Sequence, residues 1–124
     1  MSKFENPMQF DIKRKINNVE VTYSDLMEIC QGGPEIGTIS INGNPLSSYR
    51  FGGPFLYKEE YIYAPVYVKK LLGWGFKLSK VNIRTFNVEI FGKPIDLIFL
   101  DKIEDNRIYF FEDLDKTIYR YYDI

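Results

Sequence analysis

The chain has 124 residues, 45% of them hydrophobic and 27% charged, with a formal net charge of −1. That length suits a single domain over residues 1–124, with enough surface buried on folding for one core without disulfide or metal staples. Histidine is absent, whereas tyrosine and phenylalanine each occur ten times; the commonest general base and metal ligand is missing, and rigid ring surface with polar tips is abundant.

The opening stretch from Met1 to Pro7 is polar and lacks the apolar core of a secretory signal. No apolar run approaches the ~20 residues of a membrane span. Cys30 is the only cysteine, so no intrachain bridge can form. These features lead us to expect a cytoplasmic protein.

Period-two alternation then dominates. Val19, Val21 and Tyr23 share one parity, as do Ile39 and Ile41, and alternation of this kind predicts strands. Between them, Ser24 or Asp25 can cap a short helix over Leu26 to Cys30, with Asp25 and Glu28 at capping-box spacing and Gly32-Gly33-Pro34 as its stop. From Phe55 to Val68 both parities are apolar: Phe55, Tyr57, Tyr61, Tyr63 and Tyr67 on one, Leu56, Ile62, Ala64, Val66 and Val68 on the other. Lys58-Glu59-Glu60 interrupts them as a turn. One or two helical turns over Val68 to Leu72 are expected, stopped by Gly73.

Phe76 and Leu78 open another strand. The parity flips near Arg84 and Thr85, which predicts a bulge or corner. Ile95 to Leu100 is nearly continuous apolar, as for a strand covered on both faces. Turns are expected at Glu104-Asp105-Asn106 and at Glu112 to Lys116. The phrase Arg107 to Lys116 resembles the outer strands of a propeller blade, but eight or nine strands make only two blades. The expected fold is mainly β: two packed antiparallel sheets, sandwich-like or as two blade-like units, with one short N-terminal helix.

Catalytic constellations are largely missing. A serine or cysteine nucleophile has no histidine partner. The Gly32 to Thr38 stretch lacks the lysine of a phosphate loop, and Pro34 removes a backbone donor from it. Zinc has no ligand cluster, and Glu112, Asp113 and Asp115 lack EF-hand spacing. The adjacent acid pairs Glu59-Glu60, Glu104-Asp105 and Glu112-Asp113 read as turn residues. We therefore expect no enzyme, no cofactor and no metal.

Charge is unevenly spread. Residues 61–98 carry Lys69, Lys70, Lys77, Lys80, Arg84 and Lys93 against Glu89 and Asp96, whereas residues 99–124 are net acidic. In this last third, acids interleave with Tyr109, Tyr119, Tyr121 and Tyr122. Negative charge beside flat rings is what a nucleic-acid strand presents, so such a surface can fill the basic groove of a nuclease. Glu104, Asp105, Glu112, Asp113, Asp115, Tyr119 and Tyr121 are the candidate partner-binding residues. A competing reading is a small ligand-binding or single-stranded nucleic-acid-binding module using Tyr57, Tyr61, Tyr63, Tyr67 and Trp74.

Arg50-Phe-Gly-Gly-Pro54, Tyr61-Ile-Tyr-Ala-Pro-Val-Tyr67 and Phe99-Leu-Asp-Lys-Ile-Glu-Asp-Asn106, together with the size and the acidic, tyrosine-rich makeup, resemble the small immunity proteins of bacterial polymorphic-toxin and contact-dependent inhibition systems. The resemblance spans about residues 36–124 and carries over no residue roles. It implies a cytoplasmic antidote that binds one cognate toxin; we expect a one-to-one complex, with no direct nucleic-acid contact and no membrane association.

Overall fold

The computed structural model describes residues 5–29 and 33–124, and these form eleven strands in three antiparallel sheets. The first sheet contains β1 (Lys13–Ile16), β2 (Val19–Glu28), β3 (Glu35–Ile41) and β4 (Asn44–Pro45). The second contains β5 (Leu56–Lys58), β6 (Tyr61–Lys69), β7 (Trp74–Asn82) and β8 (Val88–Ile95). The third contains β9 (Phe99–Glu104), β10 (Arg107–Phe111) and β11 (Tyr119–Asp123). Each sheet is a meander, in which chain neighbours are also sheet neighbours. Asn17-Asn18, Asn42-Gly43 and Asp105-Asn106 turn the chain with positive φ at both residues, the conformation that matches the twist of the flanking strands.

Two apolar clusters hold the sheets together. Val21, Tyr23, Ile39 and Ile41 of the first sheet pack with Ile62, Ala64, Val66 and Val81 of the second. Tyr63, Phe76 and Leu78 of the second pack with Leu100, Ile108 and Phe110 of the third. The second sheet is thus covered on both faces, which is why both parities of β6 are apolar. The two-residue turn Glu59-Glu60 also inverts parity, because Leu56 pairs with Tyr63 and Tyr57 with Ile62.

Segment 50–52 stitches the first two sheets. Phe51 exchanges both backbone hydrogen bonds with Gly37, at 2.7 and 2.8 Å, while Gly52 N donates to Pro65 O and Tyr67 N to Arg50 O, each at 2.8 Å. The Phe51 side chain is fully buried. Gly53 lies close under the ring of Phe10, where an added Cβ would come within 2.7 Å, and Gly52 packs tightly against Phe76.

The expected two sheets are therefore three, and the expected helix is a strand. Among the described residues there is no helix. Ser24 pairs with Thr38 and Met27 with Ile36, so Asp25 and Leu26 oppose Gly37 alone in a β-bulge. Asp25 takes φ +53°, and the missing Gly37 side chain makes room for Leu26. The ladder to β3 outcompetes the local capping signal. Cys30 and Gly32, also assigned to that helix and its stop, lie outside the described residues.

Nor does Val68 to Leu72 make a helical turn. Strand β6 runs to Lys69, and the loop 70–73 closes with a 2.9 Å bond from Lys70 N to Gly73 O. The parity flip at Arg84 and Thr85 is the β7–β8 turn, with Asn82 Oδ1 accepting from both backbone amides. The apolar run 95–100 is the end of β8, a buried connection through Leu97 and Ile98, and the start of β9. No helix in the described residues is long and apolar enough to cross a membrane.

Candidate functional site

The outer face of the third sheet is built by register. Phe111 pairs with Tyr119 and Phe99, Tyr109 with Tyr121 and Lys102, and Arg107 with Asp123 and Glu104. Opposed residues in an antiparallel ladder share a face, so Phe99, Tyr109, Phe111, Tyr119 and Tyr121 form one patch. Their rings touch in a chain: Phe99 to Phe111 at 6.2 Å, Phe111 to Tyr119 at 4.6 Å, Tyr119 to Tyr109 at 5.6 Å, and Tyr109 to Tyr121 at 5.7 Å between centroids. Tyr119 and Tyr121 are nearly half exposed, at 45% and 48%, whereas Tyr109 and Phe111 are partly covered and Phe99 is buried at their base.

Cations cap this ring chain. The Arg107 guanidinium lies 4.4 Å from the Tyr121 centroid, Lys102 Nζ 5.5 Å from Tyr109, and Lys116 Nζ 5.3 Å from Phe99. Such placements are favoured by the ring quadrupole. Asp101, left over where the β9–β10 register slips, accepts a 2.6 Å hydrogen bond from Tyr119 Oη. Packing among the neighbouring rings and this bond to a carboxylate push the Tyr119 phenol up to about 12. It therefore stays a neutral donor at physiological pH.

The predicted site residues all lie on this sheet or its turns, yet they divide into three groups. Tyr119 and Tyr121 are together on the outer face. Glu104 and Asp105 sit at the β9–β10 end, and Glu112, Asp113 and Asp115 at the other. The five residues of β10, at about 3.3 Å each, put the two acid groups more than about 15 Å apart. Several acids are engaged locally. Glu104 pairs with Lys102 at 3.0 Å and Glu112 with Arg120 at 2.5 Å. Asp113 accepts from Thr117 Oγ1 at 2.5 Å, Thr117 N at 2.9 Å and Ile118 N at 3.0 Å. Those bonds favour its ionised form and lower its pKa. Asp105 and Asp115 are exposed.

Sequence reasoning missed Phe99 and Phe111 as part of this patch, along with the capping cations Lys102, Arg107 and Lys116. In the sequence Phe99 belongs to the apolar run 95–100 and Phe111 flanks the turn at 112–116. Their shared face follows only from cross-strand register. Tyr122, in contrast, turns inward against Phe110 and Phe91.

The second set of aromatics does not form one surface. Tyr63 is buried, Tyr57 is exposed, and Tyr61 lies under Lys80 Nζ at 4.2 Å. Only Tyr67 and Trp74 come together, stacked at 5.1 Å with 14° between planes. They line a cleft of about 400 Å³ with Met27, Ile36, Tyr49 and Arg50. Arg50 is held there by bonds to Asp25 O at 2.5 Å and Thr38 Oγ1 at 3.2 Å. Among the described residues, no three acidic, cysteine or histidine side chains gather as a metal site. Compared with family models, curated proteins and solved structures, the chain finds no match.

Proposed function

We propose that this chain is a non-enzymatic binding protein that neutralises a cognate bacterial toxin by covering its active surface, one to one, in the cytoplasm. The observation that carries the reading is the five-ring patch on the outer face of the third sheet. Tyrosines are stiff and amphipathic, so they gain contact area at low entropic cost. Tyr109 is held between Tyr119 and Tyr121, and Tyr119 is held by Asp101, which preorganises the patch for binding.

Charge plays the secondary part. The acids at the two ends of the patch fit a partner with a basic rim, which makes a nuclease the favoured toxin class. Lys102, Arg107 and Lys116 stand among the rings, so the patch is mixed rather than uniformly negative. Asp105 and Asp115 are the acids best placed to steer association, because Glu104, Glu112 and Asp113 are already bonded within the chain.

The product of the adjacent gene is the partner to test first. Titration of the purified pair is expected to give a one-to-one complex. Tyr119→Ala combined with Tyr121→Ala should weaken it by about 2 kcal/mol or more, as for anchors at an interface centre. Full affinity in that double variant would exclude the patch. A second reading rests on the Tyr67–Trp74 cleft, whose stacked rings and nearby guanidinium suit a sugar or a nucleobase. A change in tryptophan fluorescence on titrating saccharides or single-stranded oligonucleotides would support it.

A further inference from the structure

The β6–β7 turn is built unlike four other short turns among the described residues. Asn17-Asn18, Asn42-Gly43, Glu59-Glu60 and Asp105-Asn106 are polar, as turn chemistry and water contact favour. The loop 70–73 instead carries Leu71 and Leu72 at its apex, 99% and 86% exposed. Neither leucine is needed for the turn, because Gly73 takes the positive φ of +85° and Lys70 N closes the loop on Gly73 O.

Polarity is layered down the hairpin from this apex. The two leucines come first. Trp74 follows, 56% exposed, and its ladder partner is Lys69, also exposed. Lys70 sits at the base of the loop, paired with Asp96, whose side chain is 84% exposed. Lys77 lies further along β7. Apolar tip, amphipathic ring and cations follow one another as acyl chains, headgroup boundary and lipid phosphates do in a bilayer surface.

We propose that the β6–β7 tip is a peripheral membrane anchor selective for anionic lipid. Leu71 and Leu72 enter the acyl boundary, Trp74 rests at headgroup depth, and Lys69 and Lys77, with Lys70, meet the phosphates. Binding is weak and reversible, because two leucines bury less apolar surface than a single myristoyl chain, itself a marginal anchor, and the attraction of a few lysines is screened by salt. The inference departs from the sequence expectation of no membrane association. It goes beyond the toxin-binding reading and is independent of it, since the tip belongs to the second sheet and the ring patch to the third.

Trp74 is the chain's only tryptophan, so its fluorescence reports on the tip and on the cleft that it lines beside it. The full chain is mixed with vesicles of phosphatidylcholine alone and of equimolar phosphatidylcholine and phosphatidylglycerol, at low and high salt. The anionic vesicles should shift the emission to shorter wavelength, brominated acyl chains should quench it, and salt should reverse both. Leu71→Ser with Leu72→Ser should weaken partitioning at least about tenfold while leaving the melting temperature and toxin capture unchanged. Lys69→Glu should weaken it only for anionic vesicles. Absence of any shift or quenching with anionic vesicles, or equal partitioning by the double leucine variant, would overturn the proposal. Protection of the tip by a protein partner without vesicle binding would also overturn it and assign the leucines to a protein pocket.

Discussion

Asp113 shows how much one side chain does at the edge of the candidate surface. It accepts from Thr117 and Ile118 and so shapes the turn that carries Asp115 and Lys116. These bonds lower its pKa below the ordinary 3.8. Its contribution to stability is therefore complete above that ordinary value and lost as pH falls through the lower folded-state value. Asp113→Ala should melt earlier than the parent at neutral pH, and the gap should close on acidification; a gap constant down to strongly acidic pH would contradict the assigned role. Gly92 is a second such position. Its φ is +88°, and an added Cβ would lie 2.7 Å from the Tyr122 ring, whose Oη accepts a 3.3 Å bond from Lys93 N. Gly92→Ala should cost roughly 1–3 kcal/mol in urea unfolding, from backbone strain together with displacement of the ring that ties β8 to β11. A neutral result would mean that the third sheet docks differently.

The strands show what pattern alone can and cannot disclose. Val19, Val21, Tyr23, Ile39 and Ile41 were legible as strand residues because one buried face imposes period two. The turns at 104–106 and 112–116 were legible because their residues tolerate or favour turn geometry. The segment after Tyr23 was not, since Asp25, Glu28 and the apolar run between them satisfy a helix start and a bulged strand equally well. What decides is Gly37 on the neighbouring strand, which admits Leu26 where any side chain would collide with Ser24 O at 2.7 Å and Leu26 Cδ2 at 2.8 Å. Gly37→Ala should therefore destabilise by about 1–3 kcal/mol, in the range of overpacking. Asp25→Gly should be neutral or mildly stabilising, because glycine adopts φ +53° without strain. If residues 24–29 were helical, Asp25→Gly would be destabilising. The ring patch was half legible for a related reason. Tyr119 and Tyr121 share parity in the sequence, but their alignment with Tyr109, Phe111 and Phe99 needs the register of two further strands.

The assembled molecule is a stack of meanders with a doubly covered middle sheet, and that arrangement leaves Tyr119 and Tyr121 of the third sheet exposed to water. A third sheet was not legible because β6 and β7 display apolar residues on both parities without naming two separate partners. Burial of the middle sheet gives the ring patch a rigid support, in that Ile108 and Phe110 anchor β10 from beneath while Tyr109 and Phe111 face outward. The central claim is that this molecule works by covering another protein. Its most direct test is the affinity of the one-to-one complex with the adjacent gene's product, measured for the parent and for Tyr109→Ala, Tyr119→Ala, Tyr121→Ala together. We expect a loss of at least about a hundredfold with an unchanged fold, on the order of 3 kcal/mol. An affinity equal to the parent's, or no complex between the parent pair, would contradict the claim.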